Sequence, residues 1–397
     1  MTTLPRRGGL PENLISFKGC RAHIPPSTML TENPRVVFAK RPGTGMPVAG
    51  EHIVFEPSHS IDLDQVPLNG GFLTKTLMLS PEPFMRERMR DLCIPSYSTH
   101  AVLGDPLVSF GLVVVMRSEK EGINPGDHLY GLTTWEAYTV QPYVQGRAKY
   151  DAREVPDYTF DVDALSLQMV PDPKGAFPWS RYFTVLGAPG LTAFCGFEGC
   201  ADAKAGETIY VSSGASAVGI VVIQLAKAKG LKVIASAGAD VKVEYMRSLG
   251  ADVAFNYKTT PIAKVLQEHG PLDLYWDNVG GETVEIAIEN SRLRARLIMC
   301  GSISEYTVAP EDRYGIKNTS MIFKKRLRIE GFLVPDLAPA LAPRFYAEMP
   351  GLVAAGKVTA KEHITVGLEN GPEALVAVLK AGGNEAAGKP VILVANE

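Results

Sequence analysis

Short apolar runs separated by turns fill the first part of the chain, up to about residue 177. The runs are rich in β-branched and aromatic residues, a composition that is typical of strands. They are RVVFAK (35–40), EHIVFEP (51–57), FLTKTLML (72–79), SFGLVVVMRS (109–118) and HLYGLTTWEAYTVQ (128–141). The pattern predicts a β-rich domain with a polar, aperiodic loop at 145–161.

From about residue 183 the pattern becomes an alternation of strands and helices. The helical segments carry apolar residues at spacings of three and four, and the strands are short continuous apolar runs suited to burial on both faces. The alternating segments include ETIYVSS (207–213), AVGIVVIQLAKAKG (217–230), LKVIASA (231–237), ADVKVEYMRSLG (239–250) and ADVAFNY (251–257). This order predicts an α/β fold with a doubly wound parallel sheet.

Beyond residue 335 the sequence predicts one helical run at 345–355 and a closing strand, PVILVA, at 390–395. A chain of 397 residues exceeds the size at which one hydrophobic core keeps growing, so two domains are expected.

Composition narrows the class of protein but not its chemistry. Hydrophobic residues make up 46% and charged residues 21% of the chain, as in ordinary globular proteins. The formal net charge is −3 and no basic run occurs, so nucleic acid and anionic membranes are not expected as partners. No apolar stretch is long enough to span a bilayer.

The five cysteines form neither a disulfide framework nor a CxxC metal pair, which favours a reducing, cytoplasmic location. The first residues are basic but rich in proline and glycine. They make a poor amphipathic helix, so a disordered lead-in is favoured over a mitochondrial presequence.

The segment 210–219 (YVSSGASAVG) follows a strand and opens a helix, which is the context of a dinucleotide-binding turn. Backbone N–H groups at such a helix N-terminus face a pyrophosphate. The glycine pattern is imperfect, since only Gly214 and Gly219 stand where a strict motif has three glycines. A tight strand–helix turn in another α/β protein therefore remains the alternative.

The end of the next strand indicates which dinucleotide would bind. An NAD site places an acid there, about 20 residues after the glycine turn, to accept from the ribose hydroxyls. Here the strand runs into Ala237 and Gly238, which leave room for a 2′-phosphate, and Lys242 follows to neutralise it. Asp240 fits a helix N-cap better than a ribose ligand. These residues favour NADPH over NADH.

Seven motifs, including the turn just described, follow one another over most of the chain from residue 33. They are PFMRERM (83–89), LGAPGLTAF (186–194), VSSGASAVG (211–219), SAGADVKVEYMRSLGADVAFNYK (236–258), DNVGGE (277–282), CGSISEY (300–306) and GLENGPEAL (367–375). With them the chain resembles the medium-chain dehydrogenase/reductase superfamily. Within it, the resemblance is to the zinc-independent branch of leukotriene B4 dehydrogenases, prostaglandin reductases and alkenal double-bond reductases.

The resemblance implies a GroES-like, β-rich catalytic domain with a Rossmann domain inserted in it and the active site in the cleft between them. The expected division is an N-terminal extension (1–32), the first part of the catalytic domain (33–177), the NADP(H)-binding Rossmann domain (178–334) and a return that completes the catalytic domain (335–397). A homodimer formed by edge-strand pairing through 327–334 is also implied.

The resemblance further implies that Lys242 and Tyr257 hold the 2′-phosphate, that Asn278 and Val279 line the nicotinamide pocket, and that Asn384 reaches the cofactor late in the chain. The expected cofactor-binding set is Ser216, Ala217, Val218, Gly219, Gly238, Lys242, Tyr257, Asn278, Val279, Cys300, Ser302, Phe332, Val334 and Asn384. The expected substrate-binding set is Phe84, Arg86, Trp135 and Tyr306.

Three departures from the family pattern concern the site. The usual glycine of the phosphate turn is Ser216, and two usual tyrosines are Phe84 and Phe194, which removes two hydroxyls near the cleft. The loop at 145–161 is longer than usual. The departures leave the cofactor prediction intact, while the substrate stays open.

The chemistry is expected to be free of zinc, because no His-Glu dipeptide and no cysteine cluster is present. Hydride transfer without a Lewis acid favours an α,β-unsaturated carbonyl, whose developing oxygen charge is held by hydrogen-bond donors. Tyr306 is the expected donor, with a packing role for its ring as the alternative. Core packing is the simpler expectation for Trp135, and a salt bridge or solvated face for Arg88.

The sequence thus predicts an NADPH-dependent reductase of a small-molecule enone or enal, suited by its departures to a specialised biosynthetic pathway. A quinone reductase or an alcohol dehydrogenase of the same superfamily is the nearest alternative. A non-catalytic NADPH-binding protein is the alternative from another class.

Overall fold

The computed structural model describes residues 30–94, 96–142, 167–380 and 386–397. The predicted lead-in and the loop at 145–161 lie outside the described residues. The first part of the chain forms strands, as the apolar runs predict. Its elements are β1 (Thr31–Glu32), β2 (Arg35–Phe38), β3 (Ile53–Glu56), β4 (Ser60–Ile61), β5 (Phe72–Leu79), α1 (Phe84–Arg88), β6 (Val108–Ser118), β7 (His128–Thr134), β8 (Tyr138–Gln141) and β9 (Gln168–Met169).

The second part forms the predicted alternation of strands and helices. A 3-10 helix at Trp179–Phe183 leads into it. Its elements are α2 (Ala188–Gly199), β10 (Thr208–Val211), α3 (Ala217–Ala228), β11 (Lys232–Ala237), α4 (Asp240–Ser248), β12 (Val253–Asn256), α5 (Ile262–His269), β13 (Leu272–Asp277), α6 (Glu282–Glu289), β14 (Ser291–Met299), α7 (Ser320–Lys325), β15 (Arg328–Gly331) and α8 (Val334–Ala354).

All neighbouring strands of this second sheet are parallel, in the order β12-β11-β10-β13-β14-β15. Its central strands are buried on both faces, and all four residues of β10 are buried. The strand order reverses between β10 and β13, and in such sheets ligands bind at the carboxyl ends of the strands beside that reversal. The predicted α/β fold with a doubly wound parallel sheet is confirmed.

The chain then returns to the β-rich sheet through β16 (Glu362–Val366), α9 (Gly371–Leu379) and β17 (Lys389–Leu393). This sheet has the order β16-β17-β5-β6-β7-β9, with β8 paired to β5. Because β17 pairs antiparallel with β5, distant parts of the chain close one sheet.

Helix α8 differs from the prediction in length and in the layer that it joins. It begins at Val334 although prolines stand inside it at 339, 343 and 350, so the predicted run 345–355 covers only its second half. Its buried residues pack in one core with α2 and α3, where the Phe345 ring meets Phe194 edge-on. Helix α8, which the expected return at 335–397 includes, thus packs with α2 and α3, and the chain rejoins the β-rich sheet at β16. The domain bounds stay a prediction.

No helix among the described residues has the length and apolar character that crossing a membrane requires.

Candidate active site

The turn between β10 and α3 is tightly packed around its two glycines. A Cβ on Gly219 would lie 2.6 Å from the Ser213 carbonyl oxygen, and one on Gly214 would lie 2.7 Å from the Met246 sulfur. Gly219 therefore lets the helix approach its turn, the packing role of the last glycine in a dinucleotide fingerprint. Gly214 leaves room for side chains of α4 and β11, since a Cβ there would also lie 2.9 Å from the Ala235 Cβ.

Between these two glycines, at the middle glycine position of the fingerprint, the chain has Ser216. Ser216 is the N-cap of α3, and its hydroxyl accepts from the Gly219 N–H at 3.0 Å. Ala217 and Val218 form the first turn of the helix and are partly exposed. One N–H of the anion-binding helix end is thus bonded within the protein, while the turn keeps its strand–helix geometry.

The end of β11 forms a small cradle with β12. A Cβ on Gly238 would stand 3.0 Å from the Tyr257 hydroxyl and 3.1 Å from Cε of Lys258. Burial, and the charge of Lys258 nearby, lower the pKa of Lys242. The Tyr257 hydroxyl and the Lys258 side chain thus border a position that carries no side chain, and the charge of Lys242 lies close to that of Lys258. A 2′-phosphate fits this donor set. Lys258 is exposed to solvent and reaches the cradle with its side chain.

Asp240 does not take the N-cap position that the sequence predicts. Ala239 is the N-cap of α4 and Asp240 is its first residue. The Asp240 carboxylate is exposed and accepts from the Asn256 amide at 2.8 Å. This contact holds the acid on α4 beside the end of β12.

The loop after β13 is organised by Asp277, a residue that the sequence analysis did not single out. Its fully buried carboxylate accepts from the backbone N–H groups of Val279 at 2.9 Å and of Gly280 at 3.0 Å. The Ser212 and Tyr275 hydroxyls also donate to it. Burial raises the pKa of Asp277. The sequence signal for Asp277 was an acid at the end of the apolar strand LDLYWD (272–277).

Asn278 is tied to the phosphate turn. Its side-chain amide donates to the Ser212 carbonyl at 2.7 Å, and its backbone N–H donates to the Ser212 hydroxyl at 2.9 Å. The Cys300 N–H donates to the Asp277 carbonyl at 2.9 Å. The ends of β10, β13 and β14 are thereby held together along the edge where a dinucleotide would lie.

A cleft of about 780 Å³ opens beyond this edge. Its lining includes Tyr306, Tyr97, Glu87, Cys300, Ser302 and Phe332. Removal from water raises the pKa of the Tyr306 hydroxyl well above its usual range, and the same holds for Tyr97. Both phenols are therefore kept protonated and can donate hydrogen bonds at neutral pH. Tyr97 was missed because it lies in no motif, and Glu87 because the PFMRERM motif does not show which of its side chains face the cleft.

The thiols of Cys195 and Cys300 are shielded from water. Burial raises the pKa of Cys195 to about 11, and that of Cys300 to about 12. Since the thiolate is the nucleophile, neither thiol is activated. Among the described residues, no three His, Cys, Asp or Glu side chains come together as metal ligands.

Three expected substrate residues lie away from the lining. Trp135 is completely buried in the core of the β-rich domain and donates to the Ser109 hydroxyl at 2.6 Å, so its prediction as a substrate contact is wrong. Arg86 is 3% exposed and donates to the carbonyls of Gly43 at 2.7 Å and of Gly45 at 2.9 Å. Phe84 packs edge-on against Phe110, outside the described lining.

Two further expectations about arginine and phenylalanine also change. Arg88 is 4% exposed rather than solvated, and its guanidinium donates to the Thr99 carbonyl at 3.3 Å. Phe194 is 3% exposed in the core beneath α8, so the absence of a tyrosine hydroxyl at this position does not change the cleft.

Val334 begins α8 next to the lining residue Leu333. Asn384 lies outside the described residues.

Comparisons with known proteins agree with this architecture. Residues 217–350 match the family model described as zinc-binding dehydrogenase, and 59–147 match the N-terminal domain of oxidoreductase. The chain is 36% identical to a zinc-type alcohol dehydrogenase-like protein of Schizosaccharomyces pombe, covering 89% of this chain and 95% of that protein. It is 35% identical to 2-alkenal reductase (NADP(+)-dependent) of Nicotiana tabacum, covering 82% and 88% of the two chains.

A solved structure extends the likeness to three dimensions. CurA from Vibrio vulnificus, in complex with NADPH, superimposes with a TM-score of 0.77 at 27% identity, covering 92% of this chain and 100% of that one. At that coverage the likeness includes both the β-rich part and the parallel sheet.

Proposed function

Because the chain belongs to the medium-chain dehydrogenase/reductase superfamily, in its zinc-independent alkenal reductase branch, we propose that it is an NADP(H)-dependent oxidoreductase. Its proposed reaction is reduction of the C=C bond of an α,β-unsaturated ketone or aldehyde. The observation that carries the proposal is the cradle of Gly238, Tyr257 and Lys258, on the same sheet edge as the cleft that holds Tyr306.

Different residues along this edge of the parallel sheet would hold different parts of the cofactor. Lys242, Tyr257 and Lys258 would hold the 2′-phosphate, and the α3 N-terminus would face the pyrophosphate. Asn278 and Val279, fixed by Ser212 and Asp277, would shape the nicotinamide pocket. When bound, NADPH supplies the hydride for the β-carbon of the substrate and leaves as NADP⁺. The enolate so formed would take a proton from solvent at its α-carbon, which gives the saturated carbonyl product.

Tyr306 would donate to the carbonyl oxygen of the substrate. The phenol stays protonated because partial burial and neighbouring negative groups disfavour the phenolate. A fixed donor aimed at the oxygen stabilises the charge that develops there as hydride arrives, and this preorganised hydrogen bond is the main catalytic contribution proposed for the protein.

The proposed reaction is tested by following the loss of NADPH absorbance with enals, enones, quinones and simple aldehydes, before and after EDTA treatment. Oxidation with enals or enones that survives EDTA, and is much slower with NADH, is expected. Turnover with quinones alone would assign the chain to quinone reduction. Tight NADPH binding without turnover would assign it to a non-catalytic role.

We also propose that the protein is a homodimer located in the cytoplasm. Strand β15 ends the parallel sheet and presents unpaired backbone groups, with Ile329 38% exposed on it and Phe323 70% exposed on α7 beside it. Sedimentation of the purified chain is expected to give a dimer, and Ile329→Asp a monomer. A monomeric wild-type chain would contradict this arrangement.

A further inference from the structure

The charges around the cleft are unequal in sign. Among the described lining residues, Glu87, Glu305 and Asp336 are acidic and Arg313 is basic. Arg313 and Asp336 are exposed at the mouth, while Glu87 and Glu305 are partly buried. The inner part of the described wall is therefore negative, and charges there are screened less by solvent than those at the mouth.

Among the acidic residues of the described lining, Glu87 is the one whose charge acts on the proposed donor, Tyr306. Its negative charge contributes to the raised pKa of both Tyr306 and Tyr97, so its field reaches the two hydroxyls of the cleft. The carboxylate is fixed in place, since it accepts from the buried Ser96 hydroxyl at 3.0 Å. A substrate whose carbonyl oxygen meets Tyr306 would extend past this carboxylate.

A cation near Glu87 in the wall, Arg90, is bound to backbone carbonyls and lies outside the described lining of the cleft. Arg90 is 7% exposed, and its guanidinium donates to the carbonyls of Glu87, Ile94 and Ser98. It thus holds the loop of the cleft wall from behind and is absent from the described lining.

We propose that Glu87 makes the cleft selective for substrate charge, so that it accepts neutral or cationic enones and enals and excludes those that carry a carboxylate. The inference rests on the proposed function and names the substrate class of that site. A second negative charge beside Glu87 is repelled by it and by the phosphates of bound NADPH. One unit charge in a partly buried site changes kcat/KM by about tenfold or more.

The test uses one enone skeleton with three ends: a methyl ester, a free carboxylate and a trimethylammonium group. The wild-type enzyme is expected to reduce the ester with a kcat/KM about tenfold or more above that of the carboxylate. The ammonium compound is expected to match or exceed the ester. Added salt should narrow the difference, since it screens charges near the surface.

Glu87→Gln keeps the size of the side chain and its acceptor for Ser96 while removing the charge. It is expected to reduce the ester-to-carboxylate ratio severalfold, whereas Glu373→Gln, which removes an exposed acid in the first turn of α9, should leave the ratio unchanged. Thermal unfolding and NADPH fluorescence verify that each variant is folded and binds the cofactor.

The outcomes separate the two proposals. Equal rates for the three compounds, or an unchanged ratio in Glu87→Gln, would overturn charge selection and leave the reductase intact. Reduction of none of them would overturn the proposed reaction and, with it, this inference.

Discussion

The cofactor end of the cleft and its substrate end are built from different kinds of contact. At the cofactor end, Gly214, Gly219 and Gly238 each bring two backbone segments or side chains so close that a Cβ would collide with them or press on them. At the substrate end, Glu87 lies on α1, and the wall that α1 forms with the loop after it is anchored by the guanidinium of Arg90. At these three glycines the geometry depends on close packing, and in the wall around Glu87 it depends on hydrogen bonds from a buried guanidinium.

This difference has a consequence for how each end tolerates change. Close packing at a strand end fixes a geometry that suits a constant ligand such as a dinucleotide. A loop held by a few hydrogen bonds can change its lining residues without rebuilding the sheet, since loops carry variation on a rigid scaffold. Substrate preference is therefore expected to be easier to alter than cofactor preference.

The largest effect is expected from Tyr306→Phe, which removes the proposed donor and keeps the ring. The kcat for a neutral enone should fall by about 100-fold, as when one preorganised oxyanion donor is lost. NADPH affinity, measured by fluorescence titration, should stay within about twofold, because hydrogen bonds to the carbonyl are not part of cofactor binding. An undiminished kcat would leave Tyr306 with a packing role only.

The next effect concerns the cofactor end. Lys242→Ala removes a cation from the Gly238 cradle, and a charge-assisted hydrogen bond contributes about 1.5–3 kcal/mol. The Kd for NADPH should rise by about 10–100-fold, while the Kd for NADH should hardly change. Lys258→Ala is the matched comparison. If Lys242→Ala weakened both cofactors equally, the cradle would not be a 2′-phosphate site.

Much of the fold could be predicted because its signals are local. Continuous apolar runs became the central strands, and FLTKTLML coincides with β5. The phosphate turn and the cradle follow strands directly, so position along the chain gave their position in space. The extent of α8 could not be predicted, because helix-breaking prolines stand inside a helix that tertiary packing stabilises.

The substrate end could be predicted only in part, for a geometric reason. In α1 successive side chains point about 100° apart, so Glu87 reaches the cleft while Arg86 and Arg88 point into the protein. A motif such as PFMRERM locates the helix near the site but does not say which side chains face it. Trp135 shows the same limit, since its ring is enclosed by the core.

Arg86→Met tests whether Arg86 anchors the chain or contacts substrate. The change leaves the Gly43 and Gly45 carbonyls without their charged donor, so the free energy of unfolding should fall by about 2 kcal/mol. Urea denaturation measures that loss, and the KM for a neutral enone should stay within about twofold of the wild-type value. A higher KM at unchanged stability would return Arg86 to the substrate site.

The smallest effect is expected at Ser216, in the phosphate turn of the cofactor end. Its hydroxyl takes the Gly219 N–H that a glycine at this position would leave to an anion. Ser216→Ala loses the cap, so stability should fall by about 1 kcal/mol, whereas Ser216→Gly should cost only a few tenths, about 0.3 kcal/mol.

The same two variants report on the cofactor through calorimetry. If the freed N–H turns to the pyrophosphate, both variants should bind NADPH slightly more tightly than the wild type, by about two- to threefold. Weaker binding in both would show that the Ser216 hydroxyl itself contacts the phosphate. In that case the serine would substitute for the missing glycine as a ligand, and the turn would be adapted rather than merely tolerant.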